Sequence, residues 1–145
     1  MPALVAVPSE RILLVEDEAH IRDSARDLLT DEGYEVTTSV TLHGARTALT
    51  GGAFACLVLD LRLPDGAGED LLRELIQQAV APPVVVISTA NDASNVAREY
   101  GVLALAKPFE LELLIAAVKI AVSQRMRPSL RTPRDAATVR MRPIR

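Results

Sequence analysis

The sequence predicts an α/β protein built on a five-stranded parallel sheet with helices on both faces. Short runs of consecutive apolar residues recur along the 145-residue chain, and such runs are typical of strands that are buried on both faces. A segment with apolar residues at helical spacing follows each run. Five strand-then-helix units in succession favour a parallel sheet joined by right-handed crossovers.

Each element follows from its own pattern of apolar residues. Strands are predicted at residues 12–15, 34–38, 55–60, 84–87 and 102–106, of which the second alternates in polarity as an edge strand does. Helices are predicted at residues 21–29, 42–49, 71–79, 92–100 and 111–122, and glycine or proline follows the first four. The third strand has five apolar residues before Asp60 and then a Pro-Asp-Gly turn. Asp65 and Gly66 are expected to shape this turn and to do no chemistry.

Length and composition indicate one domain with an aliphatic core. A chain of 145 residues can bury a core without disulfides. Aromatic residues make up 3% of the chain and Trp is absent, so Val, Leu, Ile and Ala must fill the core. The single cysteine, Cys56, is expected to be a buried small hydrophobe. We expect a leader at residues 1–10, a globular domain at residues 11–124 and an Arg/Pro-rich flexible tail at residues 125–145.

The charge is distributed unevenly along the chain. From Arg125 onward the sequence holds seven arginines and one acid, a net charge of +6, so the remainder carries −9 of the total of −3. Clustered arginines attract nucleic-acid backbones, but this tail has neither interleaved aromatics nor a helix-turn-helix pattern. Nucleic-acid contact is therefore one alternative beside a solvated tail, a docking segment for a partner and a truncated linker.

The sequence predicts a cytoplasmic location without membrane insertion. The first residues lack the basic and apolar regions of a signal peptide. No segment approaches the roughly 20 apolar residues of a membrane span. A lone cysteine suits a reducing compartment.

Reactive side chains follow four of the five predicted strands. Glu16 and Asp17 follow the first strand, Asp60 ends the third, Ser88-Thr89 follow the fourth and Lys107 follows the fifth. The carboxyl ends of parallel strands lie at one edge of the sheet, where open α/β sheets bind ligands. Acids, a hydroxyl and a lysine are therefore expected around one crevice.

Acids gathered in such a crevice need a cation. Two carboxylates about 5 Å apart repel by roughly 3 kcal/mol at an effective dielectric near 20. Oxygen ligands with no His or Cys nearby favour Mg²⁺ over zinc or copper. Lys107 supplies a second positive charge for a phosphate oxygen, and Ser88 or Thr89 supplies a hydroxyl donor. A carboxylate flanked by a metal and a lysine can form an aspartyl phosphate by in-line attack on a phosphoryl donor.

Four segments at these strand ends, in this order, resemble the receiver domain of two-component response regulators. They are Leu14-Val15-Glu16-Asp17-Glu18, Leu59-Asp60-Leu61-Arg62-Leu63-Pro64-Asp65-Gly66, Ile87-Ser88-Thr89 and Ala106-Lys107-Pro108-Phe109. The resemblance covers residues 11 to about 123 and makes residues 11–124 a receiver domain of the stand-alone type. It implies a flavodoxin-like (βα)5 fold with the strand order 2-1-3-4-5.

The resemblance also implies a role for each site residue. Asp60 would be the phosphoacceptor, and Lys107 would pair with it and with the phosphoryl group. Asp17 would bind Mg²⁺ directly together with Asp60, and Glu16 would assist mostly through water. The backbone carbonyl of Arg62 would be a further protein ligand.

Three further expectations concern the fourth and fifth strands. Ser88 has the family's usual distance from the preceding proline, whereas Thr89 with its following alanine reproduces the usual Thr-Ala pair; Ser88 is favoured as the switch hydroxyl. The family usually has Tyr or Phe where this chain has Ala104, so the usual coupling to the outer surface is in question. The Lys107-Pro108 peptide is expected to be cis, as in the family.

The predicted function is that of a phosphoacceptor response regulator. It would take a phosphoryl group from a sensor histidine kinase or phosphotransfer protein onto Asp60 with Mg²⁺, and signal to an unknown output protein. It would modify only itself and is not expected to be an enzyme. Alternatives are a non-switching interaction module, supported by Ala104, and a regulator that contacts nucleic acid through its tail. A Mg²⁺ phosphatase is disfavoured because Arg62 stands where such enzymes carry a second Asp. The absence of Walker-type and dinucleotide glycine motifs argues against nucleotide binding.

Overall fold

The computed structural model describes residues 10–125 of the chain. The elements are, in chain order, β1 (Arg11–Val15), α1 (Ala19–Asp31), β2 (Glu35–Ser39), α2 (Leu42–Gly51), β3 (Cys56–Asp60), β4 (Arg62–Leu63), β5 (Gly66–Ala67), α3 (Gly68–Ile76), β6 (Val84–Ser88), α4 (Ala90–Tyr100), β7 (Leu103–Ala106) and α5 (Leu111–Arg125). Apart from Glu10 and Arg125, the predicted leader and tail lie outside these described residues. Within residues 10–125, no helix is long and apolar enough to cross a membrane.

Five parallel strands form the main sheet in the order β2-β1-β3-β6-β7. Counted among themselves, these strands have the order 2-1-3-4-5, so the predicted fold class is confirmed. The numbers differ because a short antiparallel hairpin, β4–β5, lies between β3 and α3. The sequence analysis did not predict this hairpin, since strands of two residues are too short to show a periodic pattern.

Helices cover both faces of the sheet and divide the core into two layers. Because successive strand residues point to opposite faces, Ile12 and Leu14 pack with α1 and α5, whereas Leu13 and Val15 pack with α2, α3 and α4. Most of the buried side chains are Leu, Ile, Val or Ala, as the composition predicted, and Cys56 is fully buried among them. Each fully buried Leu or Ile contributes roughly 1.5–3 kcal/mol.

Each helix has at least one boundary that lies two or three residues from its predicted position, among them the end of α3 and the start of α4. The helix α3 ends at Ile76, three residues before the predicted end, and both Ile76 and Val80 are exposed. The helix α4 begins at Ala90, two residues earlier than predicted. The side chain of Thr89 accepts a hydrogen bond from the backbone N–H of Asp92 and so caps this helix directly after β6. Strand β6 therefore runs into α4 with Thr89 alone between them.

Candidate functional site

The carboxyl ends of four sheet strands meet at one edge of the sheet. Glu16 and Asp17 follow β1, Asp60 ends β3, Ser88 ends β6 and Lys107 follows β7. The direction in which successive strands are added reverses between β1 and β3, which lie side by side. Such a reversal opens a crevice at the carboxyl edge, where open α/β sheets bind ligands. The fold thus gathers side chains from distant parts of the chain around one crevice.

Lys107 lies between two buried carboxylates. Its Nζ donates a hydrogen bond to Asp60 Oδ2 at 2.9 Å. The same Nζ lies 3.0 Å from Glu16 Oε1, an ion-pair contact whose angles fall outside hydrogen-bond geometry. Burial by itself lowers the pKa of Lys107, but the hydrogen bond to Asp60 and the negative charges of Asp60 and Glu16 outweigh it and raise the pKa above its usual value. The ammonium group therefore stays charged at neutral pH.

Glu16 is a fully buried carboxyl group. Its Oε2 accepts a hydrogen bond from the backbone N–H of Glu18 at 3.0 Å. Burial raises the pKa of Glu16 to about 7, and the negative charge of Asp60 acts in the same direction. The Glu18 N–H and Lys107 offset this rise only in part. Without a cation in the group, Glu16 is therefore partly protonated at neutral pH.

The acids at this edge are arranged as a metal-binding group. One oxygen each of Glu16, Asp17 and Asp60 lies within 4.8 Å of the others. Opposite ligands of a six-coordinate Mg²⁺ are about 4.2 Å apart, so this spread is close to what the ion requires. Glu16 and Asp60 are buried, whereas Asp17 is exposed, so the group opens toward solvent. An oxygen-only set with uncompensated negative charge and access to water fits Mg²⁺.

The chain folds back over Asp60 directly after β3. The backbone N–H of Arg62 donates to Asp60 Oδ1 at 3.0 Å, and the N–H of Gly68 donates to the Leu61 carbonyl at 2.8 Å. A Cβ at position 68 would lie 2.9 Å from Leu61 Cα and would also press on the carbonyl oxygen of Asp60. Glycine is therefore required where α3 begins against the end of β3. The sequence analysis did not single out Gly68, whose only local signal is its place between a turn and a helix.

The two candidate hydroxyl groups have different surroundings. Ser88 is 2% exposed, and its buried Oγ has no hydrogen-bond partner among the described residues. Thr89 is exposed, and its Oγ1 accepts the hydrogen bond from Asp92 N at 3.4 Å that caps α4. A buried hydroxyl without a partner costs free energy. Of the two hydroxyl groups, that of Ser88 is therefore the buried one that is free to bond to a ligand at this edge of the sheet.

The backbone N–H of Lys107 connects the ends of β6 and β7, the last two strands of the sheet. Its N–H donates to the carbonyl oxygen of Ser88 at 2.6 Å. The Lys107-Pro108 peptide bond is cis, which confirms that expectation. Lys107 therefore enters the crevice from a backbone position that is fixed relative to Ser88.

Two arginines lie at the rim of the crevice. The Arg62 guanidinium is exposed and lies 3.3 Å from the Asp92 carboxylate on the first turn of α4. Arg22 donates from one guanidinium nitrogen to the carbonyl oxygens of Glu16 and Asp17, each at 3.2 Å. Arg22 thus holds the loop that carries both acids. The sequence analysis missed it, since an arginine on the first turns of a helix matches no motif.

Position 104 lies on β7, three residues before Lys107. Ala104 pairs with Val86 of β6 and is half-buried against the α2, α3 and α4 side of the core. A methyl side chain has no rotamers, so it cannot move between an inward and an outward position. The nearest tyrosine in sequence, Tyr100, is engaged elsewhere: its hydroxyl donates to Glu69 Oε2 at 2.7 Å, across to α3.

Comparison with known proteins identifies the family. The family model for the response regulator receiver domain matches residues 12–119. The chain is 35% identical over 122 residues to the transcriptional regulatory protein PdtaR of Mycobacterium tuberculosis, covering 82% of this chain and 59% of that protein. It is 32% identical over 114 residues to the regulatory protein VanRB of Enterococcus faecalis, covering 77% and 51%. The chain thus spans little more than half the length of these two curated relatives.

Solved structures agree with this relationship. The signal receiver domain of a LuxO repressor protein from Vibrio parahaemolyticus superposes with a TM-score of 0.76 at 25% identity, over 85% of this chain and 97% of that one. The match to the family model covers the whole main sheet apart from the first residue of β1, and includes every residue of the acidic group. The chain therefore belongs to the response regulator receiver domain family.

Proposed function

We propose that this chain is a phosphoacceptor response regulator whose receiver domain carries the phosphoryl group on Asp60. One observation carries the proposal: the buried carboxylate of Asp60 contacts Lys107 and also belongs to the acidic group that it forms with Glu16 and Asp17. Two cations, one supplied by the chain and one recruited from solution, would thus flank a single carboxylate. Such an arrangement suits a nucleophile that must accept a negatively charged group.

Glu16, Asp17, Asp60 and the carbonyl oxygen of Arg62 would hold Mg²⁺, with Asp17 as a direct ligand and Glu16 acting mostly through water. When bound, the ion neutralises charge on the phosphoryl oxygens in the transition state. Lys107 already contacts Asp60 and is therefore placed to bind a phosphoryl oxygen attached to it. Its contact with Asp60 and the hydrogen bond from its backbone N–H to Ser88 hold it in place, so it would help to position the phosphoryl donor beside Asp60.

The reaction transfers a phosphoryl group without a free intermediate. A carboxylate oxygen of Asp60 attacks phosphorus, and the bond between phosphorus and a histidine nitrogen of the donor breaks. The electron pair of that bond returns to the imidazole, and Asp60 becomes an acyl phosphate. Attack by water on the same phosphorus later restores the carboxylate and releases inorganic phosphate. The chain thus modifies only itself and turns over no free metabolite.

Ser88 would respond to the phosphorylated state. Its buried Oγ lacks a partner among the described residues, so a phosphoryl oxygen would satisfy it. Because Thr89 alone separates Ser88 from α4, a movement of Ser88 toward Asp60 would be transmitted directly to that helix. The partners would be a histidine kinase or phosphotransfer protein as donor and an unidentified output protein, in the cytoplasm.

Mass measurement after incubation with acetyl phosphate and Mg²⁺ tests the proposal. The wild type should gain one phosphoryl group, and Asp60→Asn should gain none because an amide is a poor nucleophile. Chelation of Mg²⁺ should abolish the gain in the wild type. An equal gain in Asp60→Asn, or no gain in the wild type, would refute the assignment.

A second candidate is a receiver that binds its partner in the same way whether or not it is phosphorylated. Ala104 favours this candidate, because a methyl group cannot provide the inward swing of an aromatic ring. The two candidates differ in partner binding with and without beryllofluoride, a phosphoryl mimic. The constitutive module predicts equal affinity, and the switching receiver predicts a difference.

A further inference from the structure

Asp65 has a role beyond the turn that its sequence context predicted. The residue lies between β4 and β5, and its carboxylate reaches the first residues of α2. Its Oδ1 accepts a hydrogen bond from Leu42 N at 2.8 Å, and its Oδ2 accepts one from His43 N at 2.9 Å. One side chain thus joins two segments that are more than twenty residues apart in sequence.

The contact is favourable because it completes the N-terminus of a helix. The first backbone N–H groups of a helix have no partner within it, and a negative charge there is stabilised by the helix dipole. Hydrogen bonds from His43 and Leu42 hold the pKa of Asp65 below its usual value, so the carboxylate stays ionised. Thr41 serves the same helix, since its Oγ1 accepts from Gly44 N at 3.0 Å. Thr41 and Asp65 therefore satisfy different N–H groups of α2.

Asp65 links α2 by hydrogen bonds to the hairpin that follows the phosphoacceptor. The hairpin pairs Arg62 with Ala67 and Leu63 with Gly66. Its turn lies against α2, since a Cβ at Gly66 would be 3.0 Å from a methyl carbon of Leu42. At the other end, Arg62 N donates to Asp60 Oδ1. The hairpin is therefore bonded to the acceptor carboxylate at one end and to α2 at the other.

We propose that Asp65 is a positioning residue of the magnesium site, because it anchors the hairpin whose first residue, Arg62, would offer its carbonyl oxygen to the ion. This inference rests on the proposed function above. Strands of two residues are marginal by themselves, so the hairpin depends on contacts at its ends. Without the Asp65 anchor, the Arg62 carbonyl loses its fixed place, and ordering it again on metal binding reduces affinity.

Mg²⁺ titration of the full chain by calorimetry tests this inference, at a temperature where circular dichroism shows every variant folded. Asp65→Ala should weaken Mg²⁺ binding about tenfold, the lower end of the effect of residues that orient metal ligands. Asp65→Asn should be intermediate, because its single carbonyl oxygen can accept only one of the two N–H groups. Thr41→Ala is the matched control: it removes a cap of the same helix without touching the hairpin, and should bind Mg²⁺ as the wild type does.

The inference is overturned if Asp65→Ala binds Mg²⁺ like the wild type, or if Thr41→Ala weakens binding equally. Should Asp65→Ala not fold, Asp65→Asn decides by the same criterion. Absence of Mg²⁺ binding by the wild type would instead refute the proposed function. In that case the anchoring role of Asp65 is tested by amide hydrogen exchange in the absence of metal. If Asp65 anchors the hairpin, residues 62–67 should exchange faster in Asp65→Ala than in Thr41→Ala. Equal exchange in the two variants would overturn the inference.

Discussion

Lys107 Nζ is nearly equidistant from Asp60 Oδ2, at 2.9 Å, and Glu16 Oε1, at 3.0 Å. The lysine therefore contacts both the carboxylate proposed to accept phosphorus and a carboxylate proposed to assist the metal ion. Both acids are buried, so neither is well screened by solvent. The balance of charge among Lys107, the three acids and a bound cation should therefore govern both metal binding and phosphorylation.

Removal of the lysine should separate metal binding from phosphorylation. In Lys107→Ala, the acids lose a competing positive charge, so Mg²⁺ should bind at least as tightly as in the wild type. Phosphorylation by acetyl phosphate should slow by about 100-fold, the effect of removing one charge-stabilising donor in a reaction. Calorimetry and time-resolved mass measurement check the two parts. Wild-type phosphorylation rates in Lys107→Ala would contradict the role of Lys107.

The raised pKa of Glu16 should make Mg²⁺ binding depend on pH. Because the pKa is about 7, against an ordinary value of 4.5, the folded, metal-free protein holds a proton on Glu16 that the unfolded chain releases earlier. The contribution of Glu16 to the free energy of unfolding is therefore fully present below pH 4.5 and is lost as the pH rises through about 7. Mg²⁺ must displace that proton, so its affinity should fall about tenfold per pH unit below the pKa.

Titrations with Mg²⁺ at pH 6, 7 and 8 check this dependence. Glu16→Gln is the control, because its side chain is of similar size and does not titrate. It should bind Mg²⁺ more weakly than the wild type at pH 8 and vary less between pH 6 and 8. Equal pH dependence in the two proteins would show that another group controls the binding.

Substitutions at the two neighbouring hydroxyl residues should have different effects. Thr89→Ala removes the cap of α4 and should destabilise the fold by about 1 kcal/mol, with little change in the phosphorylation rate. Ser88→Ala removes a buried hydroxyl that has no partner among the described residues, so stability should hold or rise. Its beryllofluoride complex should, however, form more weakly. Denaturant unfolding and beryllofluoride titration measure these effects, and the reverse pattern would assign the switch to Thr89.

Gly68 should tolerate no side chain. In Gly68→Ala the new Cβ meets backbone atoms of Leu61 and Asp60, which cannot rotate away, so we expect a loss of roughly 2–3 kcal/mol in unfolding free energy. Gly51→Ala is the matched control, because a Cβ there has no atom within 4 Å. It should change stability by less than about 1 kcal/mol. Equal effects of the two substitutions would show that α3 can move away from β3.

Cys56 should be chemically inert in the folded protein. Burial raises the pKa of its thiol to about 12, so almost no thiolate is present at neutral pH. Labelling by a thiol reagent should be at least roughly a thousandfold slower than in denaturant, because it must wait for unfolding. Rapid labelling of the native protein would show that β3 opens without global unfolding.

Much of the fold could be predicted because its signals are local. The apolar run before Asp60 and the similar run before Glu16 are strands buried on both faces in the structure, as their composition indicated. The hairpin at Arg62 and the early start of α4 could not be predicted. The hairpin is too short to show a period, and the start of α4 depends on a side-chain bond made by Thr89.

The sequence by itself determined which chemical groups the site contains. Acids, a hydroxyl and a lysine directly follow apolar strands, and a parallel sheet places such positions at one edge. Only the tertiary structure decided that β1 lies beside β3, that Lys107 reaches Asp60 across 47 residues of chain, and that Asp65 bonds to α2. It also decided the raised pKa of Glu16. Distances between remote residues and the exclusion of water depend on packing of the whole domain, and no local pattern encodes them.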